Sequence, residues 1–159
     1  MEKEKSYVEL IAEVSASVDK DKGAYKSLTP KRKIENLARQ IRLYIEKRDS
    51  ATRYRNLELK YPRYKKYKEE SEFFELLSST RLKKYLDISD DYELDLYVVH
   101  LKSKVEELKI EPDLNKRMYL YDYICVGCSH CKVNNEHIMN QIMEIKELAS
   151  QIIHESPVM

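Results

Sequence analysis

Cys125, Cys128 and Cys131 follow the spacing C-x2-C-x2-C, the clearest constellation in this chain able to do chemistry by itself. His130 lies inside the set and His137 follows on the C-terminal side. Zinc takes four soft or borderline ligands at about 2.0–2.3 Å, and C-x2-C is a common way to present two of them. Gly127, between the first pair, would let the chain turn tightly. Together Cys125, Cys128, Cys131 and His137 make a candidate Cys3His zinc site. It would clamp the loop before the last helix and add folding free energy. The same residues have a plainer reading. Cys125 and Cys128 continue the helical spacing of Tyr121, and free cysteine is among the most buried residue types. A second C-x2-C pair is absent, and an iron–sulfur cluster would need a fourth cysteine. Thiol redox chemistry at C-V-G-C, the minority alternative, expects a βαβ setting that the pattern does not offer.

The other candidate is a surface. Between Lys31 and Lys68 there are fourteen Lys/Arg against four Asp/Glu, whereas 69–113 holds six against thirteen. The total of +1 therefore conceals a basic segment followed by an acidic one. Within the first, "RYRNLELKYPRYKKYK" (53–68) interleaves cations with tyrosines. Its candidate binding residues are Arg53, Arg55, Lys60, Tyr61, Arg63, Tyr64, Lys65, Lys66 and Lys68; Tyr54 and Tyr67 are further tyrosines of the same stretch. One outcome is internal, the basic hairpin packing beside the acidic one. Another is an acidic protein partner, with arginine and tyrosine as anchors. A third is RNA or DNA, since cations neutralise phosphates and rings stack on unpaired bases. A pI near 7.7 counts against a dedicated nucleic-acid binder.

Thr29-Pro30 before "KRK" resembles a proline-directed phosphorylation site, and equally a capping threonine before a proline at the first helical position. His100 lies between Val99 and Leu101 in an apolar seam, the setting of a bundle histidine. No phosphate-binding glycine loop, nucleophile elbow or His-Glu metalloprotease motif occurs, so a non-enzymatic role is expected.

The elements that must position these residues read as helices almost throughout. Tyr7, Leu10, Ile11, Val14 and Val18 mark a first helix that "DKDKG" should end. Thr29 and Pro30 open a second, striped by Ile34, Leu37, Ala38, Ile41, Tyr44 and Ile45. A third segment carries Tyr54, Leu57 and Tyr61, and Pro62 should kink or break it. Residues 71–86 follow, with "SST" at 78–80 a possible division. Leu94, Tyr97, Val98, Leu101, Val105 and Leu108 form the most regular seam, capped by Ser89, Asp90 and Asp91. A helix from near Pro112 shows Leu114, Met118, Tyr121 and Cys125. The last begins near Asn134 and buries Ile138, Ile142, Ile145, Ala149 and Ile152. Two glycines and four prolines are too few turn-formers for a many-stranded protein.

The expected fold is therefore all-α, a single domain over 1–159 of six or seven helices. Its length suffices for a proper core. The N-terminal MEKEKSY has no apolar core of a signal peptide, and no apolar run is long enough to span a bilayer. With an odd cysteine count, an intracellular, cytoplasmic or nuclear setting is expected. The reading reached is a helical interaction or regulatory module with no membrane association.

Overall fold

Scarce breakers and regular apolar spacing produce long helices, and the computed structural model, which describes residues 7–155, has fewer interruptions than expected. Its elements are α1 (Tyr7–Ser27), α2 (Pro30–Glu58), a 3-10 turn (Pro62–Tyr64), α3 (Lys65–Asp87), α4 (Asp91–Ile110), α5 (Leu114–Ser129) and α6 (Glu136–Glu155). The protein is a single all-α domain, and the described residues include no strand.

Three expected boundaries move. "DKDKG" does not end α1. Gly23 costs a helix about 1 kcal/mol relative to alanine, but Tyr25 beyond it is buried, its ring 4.8 Å from that of Tyr85. Keeping that contact requires the helix to continue. Nothing breaks α2 before Glu58, so the second and third segments merge. "SST" leaves α3 intact: Ser78 is buried, and the Thr80 hydroxyl donates back to the Leu76 carbonyl at 2.9 Å.

Other signals hold. Thr29 caps α2 by accepting from Arg32 N–H, with Pro30 in the first turn. Pro62 does break the helix; the chain turns at Leu59–Tyr61, and the proline enters the 3-10 turn where no N–H is needed. Asp90 and Glu93 form a reciprocal capping box on α4. α5, expected to begin near Pro112, is capped by Asp113, and the N-cap of α6 falls one residue beyond expectation, at Asn135.

α2 and α3 form a long antiparallel hairpin. α1 packs on α3, while α4, α5 and α6 pack on one another and carry α2 against α4 and α5. The seam expected on α4 is buried at every position. The face expected on α5 is not. Leu114 and Met118 are exposed, and α5 instead buries Arg117, Ile124, Gly127 and Cys128. Arg117 makes this rotation possible. Its guanidinium donates to the carbonyls of Leu108 and Glu111 at 3.0 and 3.2 Å, satisfying the end of α4.

Candidate interaction surface

From Thr52 to Glu70, around the tip of the α2–α3 hairpin, no residue is buried. This end of the hairpin contributes nothing to the core, so its cohesion is local. Tyr54 links to Tyr64 and Tyr67 in near-parallel stacks, with centroids 6.0 and 5.6 Å apart. Tyr61 meets Tyr64 edge-on at 6.2 Å. The Arg63 guanidinium lies 5.4 Å from the Tyr61 ring and 5.2 Å from that of Tyr64. Arg53 sits 5.8 Å over Tyr54. Such cation–ring contacts are worth about 0.5–1 kcal/mol each when exposed.

Two salt bridges cross the hairpin. Lys68 Nζ lies 2.7 Å from Glu58 Oε2, and Arg55 Nε lies 3.4 Å from Glu72 Oε1. Glu58 pushes the Lys68 ammonium above its ordinary value. Further from the tip, two cations of the basic helix are held by carboxylates of the bundle. Arg48 makes a forked pair with Asp122 on α5 and also meets Asp49, while Lys33 forms a buried pair with Glu93. Compensation between the basic and acidic segments is thus real but partial. Among the described residues, Arg53, Lys60, Arg63, Lys65 and Lys66 have no carboxylate within ion-pair distance. The nine candidate residues are therefore brought to one end of the hairpin, with Arg55 and Lys68 engaged and five cations left uncompensated. One participant escaped the sequence reading: Leu59, 86 % exposed at the tip. Its signal was present, since Leu57 and Leu59 cannot share one face of a helix.

The cysteines behave otherwise. Cys125 and Cys128 lie within α5 and Cys131 just beyond it; all three are free thiols. His137 is exposed at the start of α6, with Gln141 Nε2 at 3.3 Å from its Nε2. Among the described residues, no group of three or more His, Cys, Asp or Glu is placed to hold a metal ion. The structure thus does not assemble Cys125, Cys128, Cys131 and His137. Gly127 makes no tight turn either. It has no positive φ and serves close helix packing, with Leu101 and Tyr97 against it. Burial pushes the Cys128 thiol up to about 12 and that of Cys131 up to about 11. Thiols held protonated at neutral pH are poor nucleophiles.

His130 is pinned rather than reactive. Its Nδ1–H donates to the Val126 carbonyl at 2.8 Å, which leaves Nε2 to accept from the Ser79 hydroxyl at 2.8 Å. Burial lowers its pKa, keeping the ring neutral. His100 Nε2 lies 2.7 Å from the Tyr123 hydroxyl and is lowered chiefly by burial too. No described helix is long and apolar enough to cross a membrane. Comparison of the chain with protein-family models, with curated proteins and with solved structures finds no match.

Proposed function

We propose that this helical bundle is a non-enzymatic interaction module whose α2–α3 tip docks an acidic protein partner. One observation carries the reading: five cations without carboxylate partners among the described residues share with a tyrosine stack a part of the hairpin that buries nothing in the core. Exposed Leu59, Tyr61 and Tyr67 supply apolar contact, and exposed Lys60, Lys65 and Lys66 supply charge. That combination suits a protein surface, where aromatic and arginine anchors contribute affinity and rim charges speed association. Nucleic acid fits less well. Base stacking needs free ring faces, and these tyrosines are engaged with one another and with Arg63.

The test is affinity capture on the wild-type chain after nuclease treatment. The captured protein is then purified and titrated against wild type and an R63E/K65E/K66E variant. An acidic partner should bind wild type in a salt-sensitive manner and lose at least about tenfold affinity on charge reversal. Capture that vanishes with nuclease, together with direct binding of a single-stranded oligonucleotide, would replace this reading with the nucleic-acid one.

A further inference from the structure

A second surface lies at the other end of α2. α4 is apolar on two faces: one stripe fills the core, and another, Tyr92–Leu96–Val99, follows i, i+4, i+7 spacing on the outside. Tyr92 is 63 % and Val99 60 % exposed. Beside this stripe run Ile34 and Ala38 of α2, and the two helices bound a groove of about 610 Å³. On the α2 bank stand Lys31 and Arg42, neither with a carboxylate partner among the described residues; Glu35 is the groove's one lining carboxylate. Asp95 is exposed on α4 between Tyr92 and Val99.

We infer that this α2–α4 groove seats an amphipathic helix from a partner protein, with its apolar face inward and an acidic flank toward Lys31 and Arg42. Length, floor and charge each specify the occupant. From Pro30 to Arg42 the groove follows α2 for about 18 Å at 1.5 Å per residue, roughly three turns of helix. Its floor presents apolar side chains at helical repeat on both banks, the pattern that reads i, i+3/i+4, i+7 anchors of a bound helix. Lys31 and Arg42 stand on the α2 bank against the single Glu35 between them, so the net positive side, and with it the acidic flank and the bound helix's orientation, is fixed. This surface is separate from the hairpin tip and does not depend on the role proposed there.

The probe is a labelled, crosslink-stabilised helical peptide of about twelve residues, with leucines at i, i+4 and i+7 and glutamates along one flank. Binding is read by fluorescence anisotropy and by amide chemical-shift mapping on the wild-type chain. Saturable binding is expected, with shifts concentrated at Ile34, Ala38, Leu96 and Val99. Val99→Glu and Arg42→Glu should each weaken it at least tenfold, as should replacing the peptide's glutamates by lysines, an arm that needs no protein variant. The R63E/K65E/K66E variant should bind within twofold of wild type, which separates failure of this site from failure of the tip. Absence of saturation, equal affinity for the lysine peptide, or shifts mapping to the hairpin tip would overturn the inference. So would a concentration-dependent dimer dissolved by Val99→Glu, since the occupant would then be a second copy of the chain.

Discussion

The same substitution, glycine to alanine, should have opposite effects at the chain's two glycines. In a helix, alanine is favoured over glycine by about 0.8–1 kcal/mol, because glycine loses more backbone freedom on folding. At Gly23 nothing lies within 4 Å of the Cβ position, so that preference is realised in full. At Gly127 the added methyl would lie 2.8 Å from Leu101 Cδ2, 3.1 Å from the Tyr97 hydroxyl and 3.3 Å from Ile41 Cδ1. Carbon pairs prefer about 3.5–4.0 Å, so Leu101 must retreat by roughly 0.7 Å. It has no room: Leu101, Tyr97 and Ile41 are all fully buried, and the Tyr97 hydroxyl is tied to the Gly127 carbonyl at 2.7 Å. Overpacking of this kind costs about 1–3 kcal/mol. Set against the propensity gain, Gly127→Ala should destabilise by up to about 2 kcal/mol, lowering Tm by up to roughly 8 °C for a domain of this size. Gly23→Ala should raise Tm by roughly 1–4 °C. Urea unfolding followed by far-ultraviolet circular dichroism, with a thermal melt on each variant, measures both. A Gly127→Ala protein stabilised as much as the Gly23→Ala protein would refute the close-packed crossing.

Three further outcomes follow from buried groups. Lys33→Ala strands Glu93 in the interior and should cost about 3–5 kcal/mol by urea unfolding, whereas Arg55→Ala, removing an exposed pair, should cost less than about 1 kcal/mol; equal losses would contradict the difference in burial. His100 and His130 titrate below the ordinary value of 6.5 in the folded chain, chiefly because burial disfavours the charged ring. The unfolded chain therefore takes up protons first, so this stability is complete above about pH 6.5 and declines as pH falls toward the lowered folded values. Urea midpoints across that range should show the decline, and a H100Q/H130Q variant should show less of it; an unchanged slope would count against the assignment. Finally, Cys128 and Cys131 should react with a disulfide reagent far more slowly in the native protein at neutral pH than in denaturant; prompt native reaction of all three thiols would contradict their burial.

Periodicity made part of this molecule legible. On α4 six apolar residues repeat at helical spacing, and all six are buried. Pro62 announced its break because a missing N–H acts locally, whatever surrounds it. The rest required partners far away in sequence. "DKDKG" read as a stop because nothing nearby shows that Tyr25 will find Tyr85. The α5 face was misplaced because Arg117 reads as a surface residue until the open carbonyls of α4 are brought to it. The C-x2-C spacing is ambiguous in sequence, because on a helix it places two side chains one turn apart and so suits a packed face as well as a pair of ligands. At the hairpin tip, composition identified the cations and tyrosines. Which cations stay unpaired depends on the register of α3 against α2, which places Glu72 beside Arg55. The outer stripe of α4 was hidden by the inner one, since the inner seam's regularity accounts for the helix by itself and leaves Tyr92, Leu96 and Val99 reading as scattered surface residues.

Both proposed surfaces share one element, and this constrains how they can work together. α2 runs unbroken from Pro30 to Glu58, its first half forming a bank of the groove and its last turns holding Tyr54 and the tip. Between them Ala51 is fully buried and Arg48 grips Asp122 on α5, so the helix is anchored to the bundle midway. An unbroken helix fixes distance: from Ala38 to Leu57 it spans about 28 Å at 1.5 Å per residue. A single partner engaging both ends must bridge that span. If it does, the second contact forms at a high effective concentration without any new interaction. If two partners are involved, binding at one end leaves the other's geometry unchanged. Affinities measured with the groove peptide and with the tip's partner together would then multiply independently.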